Sequence, residues 1–101
     1  MSVVKSNFAF IPITPEFLYR VVEISKIIQQ HNNLVKIIYD LDYESSIFSR
    51  IKNISEHNNE KYNIIIIGYQ ENLNNTLCIR FIDENSNPIT ISISDFIEWL
   101  K

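Results

Sequence analysis

One glycine in 101 residues removes several kinds of chemistry at the outset. Phosphate-cradling loops and dinucleotide fingerprints need several glycines for tight turns and close backbone approach, and Gly68 stands alone. One cysteine, Cys78, allows no internal disulfide, which suits a reducing compartment. Apolar runs are short. Phe8 to Ile13 is interrupted by Pro12, so it does not read as a secretory signal, and no stretch approaches the length of a membrane span. The expectation is a cytoplasmic protein without membrane contact. Basic runs are also missing. With nine basic and twelve acidic side chains the net charge is −3, whereas nucleic-acid affinity usually rests on clustered Lys and Arg. No nucleic acid is therefore expected as a partner.

The chain does hold twenty isoleucines and twelve asparagines, a bias that suits strands and helix-end turns. The length allows one domain over residues 1–101, with enough apolar residues for a real core. Charge is uneven along it. Residues 1–39 carry four basic and two acidic side chains, residues 40–61 three and five, and residues 62–101 two and five.

Four consecutive isoleucines, Ile64 to Ile67, organise the reading. Side chains of a strand alternate between faces, so a strand apolar at every position must be covered on both sides. The run is short, β-branched throughout and closed by Gly68, which favours strand over buried helix.

Phe8 to Ile13 predicts a first strand. Thr14-Pro15-Glu16 then predicts a helix start, and Phe17, Val21, Ile24 and Ile28 recur at helical spacing to about Gln30. Leu34 to Leu41 fits either period; its β-branched content favours strand. Asp42 is placed to cap a helix from Tyr43 to Glu56, with Tyr43, Ile47, Ile51 and Ile54 inward and Phe48 beside them. Glu71 to Asn75 reads as a turn, Thr76 to Ile82 as a strand, and Asp83 to Pro88 as a turn. Ile89, Ile91 and Ile93 alternate with polar residues as a strand wet on one face, and a short helix over Phe96 to Leu100 follows. The order β-α-β-α-β-β-β-α predicts an α/β fold with a mixed five-stranded sheet, a C-terminal antiparallel meander and a terminal helix. A helical 34–41 would make it α+β instead.

Candidate chemistry is sparse. Asp40 and Asp42, with Glu71, fall near the carboxyl ends of predicted parallel strands, where open sheets bind ligands, and oxygen ligands there suit a divalent ion. The apolar run ending in Asp40-Leu41-Asp42 resembles the first motif of haloacid-dehalogenase-type phosphatases. Too little chain follows for that fold, and no fitting Lys and acidic motifs occur, which removes the family. Cys78 with His31 or His57 is the nominal nucleophile–base pair, but both histidines fall at helix C-termini and Cys78 within a strand, where structural roles suffice. No catalytic residue and no cofactor are assigned.

What remains is an acidic surface: Asp40, Asp42 and Glu44 in one group, Asp83 and Glu84 in another. Such a surface gains rate and specificity toward a basic protein. The function expected is a small protein-binding module, for instance an immunity- or antitoxin-type inhibitor of a basic toxin or nuclease. The alternatives are a small metal- or nucleotide-dependent enzyme or binding domain using Asp40, Asp42 and Glu71, and a homo-dimer or larger homo-oligomer joined through its terminal hairpin edge.

Overall fold

The isoleucine run does form a strand with no wet face: every residue from Asn63 to Ile67 is buried. The computed structural model describes residues 7–57, 61–82 and 88–101. In chain order the strands are β1 (Asn7–Pro12), β2 (Lys36–Tyr39), β3 (Asn63–Ile67), β4 (Thr76–Arg80) and β5 (Ile89–Ser92). The α-helices are α1 (Leu18–His31), entered through a 3₁₀ turn over Pro15–Phe17, then α2 (Ile47–His57), α3 (Tyr69–Asn74) and α4 (Ile93–Leu100).

The sheet runs in the order β2-β1-β3-β4-β5. β1 pairs parallel with β2 and β3, and β3, β4 and β5 follow as an antiparallel meander. This is the mixed five-stranded α/β sheet that the sequence predicts, with 36–39 a strand. The chain steps from β1 to β2 in one direction and from β2 to β3 in the other. A constant crossover hand then puts the two crossover helices on opposite faces.

On one face Phe8, Phe10, Ile65, Ile67, Leu77 and Ile79 meet Val21, Ile24 and Ile28 of α1 and Phe96 of α4. Aromatic rings lock that layer, with Phe8 edge-on to Phe96 at 6.2 Å and Phe96 stacked on Trp99 at 5.8 Å. On the other face Ala9, Ile11, Ile64 and Ile66 meet Ile47, Ile51 and Ile54 of α2. The burial alternates along β4, where Leu77 and Ile79 are buried and Thr76, Cys78 and Arg80 only partly so.

Three local expectations need correction. The second helix begins at Ile47, not Tyr43, because Ser46 provides the cap: its Oγ accepts the Ser49 N–H at 3.1 Å. Asp42 instead accepts the Ser45 hydroxyl within the preceding turn. The stretch read as a turn from Glu71 is helix α3. Its start is held by the Glu71 carboxylate, which accepts the Gly68 N–H at 2.8 Å, and its end by Asn75 in the left-handed region at φ 55°. The last helix starts at Ile93 rather than Phe96, capped by Ser92, with the Asp95 N–H donating to Ser92 Oγ.

Candidate functional site

The first turns of α1, α2 and α3 all follow the carboxyl ends of parallel strands, so they gather at one edge of the sheet. The direction of the chain reverses there between β1 and β3, the place where open α/β sheets leave a ligand crevice. In this chain the crevice is filled. Ile13 leaves β1 with its N–H donating to the Ile67 carbonyl at 2.9 Å, and its side chain lies over Gly68. A Cβ at Gly68 would stand 2.4 Å from Ile13 Cδ1, so a side chain there would require the end of Ile13 to turn aside.

Beside it lies a buried charge that the sequence does not advertise. Arg50 of α2 is 1% exposed and Asp40, just past β2, 13%. Arg50 Nε donates to Asp40 Oδ1 at 2.7 Å, and its Nη groups donate to the carbonyls of Pro12, Ile13 and Asp40. Its guanidinium carbon stands 5.4 Å from the centre of the Tyr43 ring. One side chain thereby ties the ends of β1 and β2 to α2. Position 50 falls within the inward stripe of α2, three residues after Ile47, but a charged residue there is ordinarily assigned to solvent. The hydrophobic spacing was the available signal.

The sequence-predicted carboxylates are distributed as follows. Asp40 serves Arg50, Asp42 accepts from Ser45, and Glu71 caps α3. Among the described residues no three His, Cys, Asp or Glu side chains stand close enough to hold a metal ion. Glu44 is exposed, as are Asp42 and Glu16. Asp83 and Glu84 lie outside the described residues.

Exposed apolar side chains collect at the same edge. Tyr19 in the first turn of α1, Leu41 after β2, Phe48 in the first turn of α2, and Tyr69 and Leu73 of α3 are all solvent-facing, Phe48 by 78% and Tyr69 by 67%. Tyr69, Asn72 and Leu73 share one side of α3 by helical spacing. The Tyr19 hydroxyl donates to Asn72 Oδ1 at 3.1 Å, which joins α1 to that side. Sequence reasoning had placed Phe48 beside the inward residues and Leu73 in a turn.

Cys78 sits apart, on the half of the sheet that α2 leaves partly open. Burial, and secondarily the Glu71 carboxylate, push its thiol above the ordinary value. That is the opposite of nucleophile activation. Alkylation by iodoacetamide should show a pH midpoint above that of a cysteine peptide, and Glu71→Gln should lower it only in part. A midpoint below the peptide's would contradict this assignment.

No protein-family model matches the sequence, and no curated protein matches it. Solved structures share the fold. The RNA-binding domain of threonyl-tRNA synthetase from Cryptosporidium parvum Iowa II superposes with a TM-score of 0.74 at 11% identity, over 95% of this chain. This chain spans 23% of the length of that one. At such identity the likeness concerns the fold. It nevertheless corrects the expectation that nucleic acid is excluded as a partner, because this fold occurs within a structure described as an RNA-binding domain. The physical flaw lay in equating RNA binding with phosphate contacts. Single-stranded bases are also held by stacking on aromatic rings, which needs no basic run. Among the described residues no helix is long and apolar enough to cross a membrane.

Proposed function

We propose that this domain is a protein-binding module that works through the carboxyl edge of its sheet. The observation that supports the reading is the group of five exposed apolar side chains there, with the exposed carboxylates of Glu16, Asp42 and Glu44 alongside. Exposed aromatic side chains are effective interaction anchors, because Tyr and Phe carry large contact area at low entropic cost. The carboxylates then favour a partner that presents cations around an apolar centre. An immunity- or antitoxin-type inhibitor acting in the cytoplasm is one form of such a module. Asp40 is not part of this contact surface, since reversing its charge would disturb the buried Arg50 before it altered binding.

A second reading is favoured by the structural likeness: single-stranded RNA stacking its bases on Tyr19, Phe48 and Tyr69. Capture from extract of the source cells, with and without ribonuclease, separates the two. The protein-binding reading expects a protein retained after ribonuclease treatment and released by the double substitution Phe48→Ser, Tyr69→Ser. Anchor residues of this kind are worth about 2 kcal/mol each, so the double substitution should cost about 4 kcal/mol, roughly 1,000-fold in affinity, and each single substitution ~30-fold. Stability should change by no more than about 0.5 kcal/mol per site, because both rings are exposed. Retention that depends on RNA would favour the second reading. Retention that ignores both substitutions would remove the edge from either.

A further inference from the structure

We propose that β5 is the contact through which two copies of this chain pair side by side into one continuous antiparallel sheet. The inference goes beyond the protein-binding reading and does not rest on it. Among the described residues β5 is an outermost strand, with β4 on one side and no strand on the other. Natural sheets guard such a strand with charge, a bulge or a covering segment. The opposite outer strand, β2, carries Lys36, whereas Ile89-Thr90-Ile91-Ser92 has no charged residue. Ile89 is 46% exposed although it registers with the buried Ile79, and Ile91 packs on the same layer.

The backbone selects the occupant. The Ile93 N–H donates to the Asn75 carbonyl, the residue that the β4–β5 register places directly opposite. Odd-numbered residues of β5 therefore turn their backbone groups to β4, and Thr90 and Ser92 turn theirs outward. Pro88, just before the strand, falls in the outward set but has no N–H. A two-fold axis normal to the sheet keeps every side chain on its own face, so an antiparallel pair of copies must be centred on one residue. Centred on Thr90, each Thr90 N–H meets the Thr90 carbonyl of the other copy, and each Ser92 N–H meets the other Pro88 carbonyl. The donor that Pro88 lacks falls opposite the Ser92 carbonyl, which, at the N-cap of α4, already accepts a helical N–H. The same register sets each Ile89 against Ile91 of the second copy in a non-hydrogen-bonded pair, where side chains stand closest. Centring on Ile91 would aim the Thr90 N–H at the occupied Ser92 carbonyl. An arbitrary extended peptide would leave a carbonyl facing Pro88 without a donor, whereas a second copy does not.

The strand is four residues long, so the contact is small and the pair weak. Sedimentation equilibrium of the full chain should show reversible dimers by about 0.5 mM. Amide exchange at Thr90 and Ser92 should slow as concentration rises, and exchange at Ile37 and Tyr39 of β2 should not. In a mixture of isotope-labelled and unlabelled chains, filtered NOEs should join the Ile89 and Ile91 methyls of different copies. Ile89→Lys, at an exposed position, gives the strand the guard it lacks and should weaken dimerisation at least about tenfold, its amide spectrum remaining that of a folded chain. Phe48→Ser, at the carboxyl edge, should leave dimerisation unchanged. A chain still monomeric at about 0.5 mM, concentration-dependent protection of β2 instead of β5, or dimers that respond to Phe48→Ser and not to Ile89→Lys would each overturn the pairing.

Discussion

Ile65→Asp and Ile66→Asp should each abolish the cooperative unfolding transition. Ile65 is 0% exposed on the face covered by α1 and α4, and Ile66 is buried on the face covered by α2. Either substitution forfeits about 1.5–3 kcal/mol of isoleucine burial and adds the larger cost of an unpaired carboxylate away from water. Domains of this size are typically stable by about 5–15 kcal/mol, so little native state should remain. Ile65→Val is the control, expected to cost about 0.5–1.5 kcal/mol with the transition intact. Near-native melting of Ile66→Asp would mean that α2 does not cover its face of β3. Thermal unfolding followed by circular dichroism decides the matter.

Arg50→Ala should be nearly as damaging. It strands the Asp40 carboxylate in a largely buried position and removes the donors from three backbone carbonyls at the ends of β1 and β2. Breaking a buried pair by deleting one partner costs about 3–5 kcal/mol, because the remaining charge loses its ionic partner, and Asp40 would keep only the Asp42 N–H. For a domain of this length that corresponds to a fall in Tm on the order of 12 °C or more. Asp40→Asn in the Arg50→Ala background should cost much less than it does alone, since the two side chains act as one unit. Additive losses in the double variant, or a loss below about 1 kcal/mol for Arg50→Ala, would contradict the clamp.

The elements legible in the sequence are those whose signal is local and repeated. Ile64 to Ile67, short and β-branched throughout, favoured a doubly covered strand over a buried helix, and Val21, Ile24 and Ile28 marked the buried face of α1. The second strand was legible once β-branched content was weighed against a helical stripe, and it lies on the sheet edge. Helix α3 escaped because its stabilising parts are unlike those of a longer helix. It has six residues, a cap without a side chain in Gly68, and asparagines that read as turn formers. The start of α2 was misplaced because Asp42 and Ser46 are both competent caps, and only the tertiary structure chooses between them.

The candidate site was harder to read for a related reason. Asp40 was noticed for its carboxylate and its place at a strand end, but its partner is 10 residues further on, and the clamp's other contacts with Arg50 reach back 37 and 38 residues. Nothing periodic links those positions. The apolar edge is equally non-local: Tyr19, Leu41, Phe48, Tyr69 and Leu73 come from separate segments that only the β1–β3 topology unites. Composition could register that the chain is acidic. It could not show that exposed aromatic rings accompany the carboxylates, nor that low net charge leaves base stacking open.

The most direct test of the binding edge is a cross-saturation NMR map of the domain in complex with the partner it captures. Saturating the partner's protons should attenuate amide signals in the first turns of α1 and α2 and along α3, centred on Tyr19, Phe48, Tyr69 and Leu73. Attenuation confined to the partly open face of β4 and β5, around Arg80 and Thr90, with the edge signals untouched, would contradict the account.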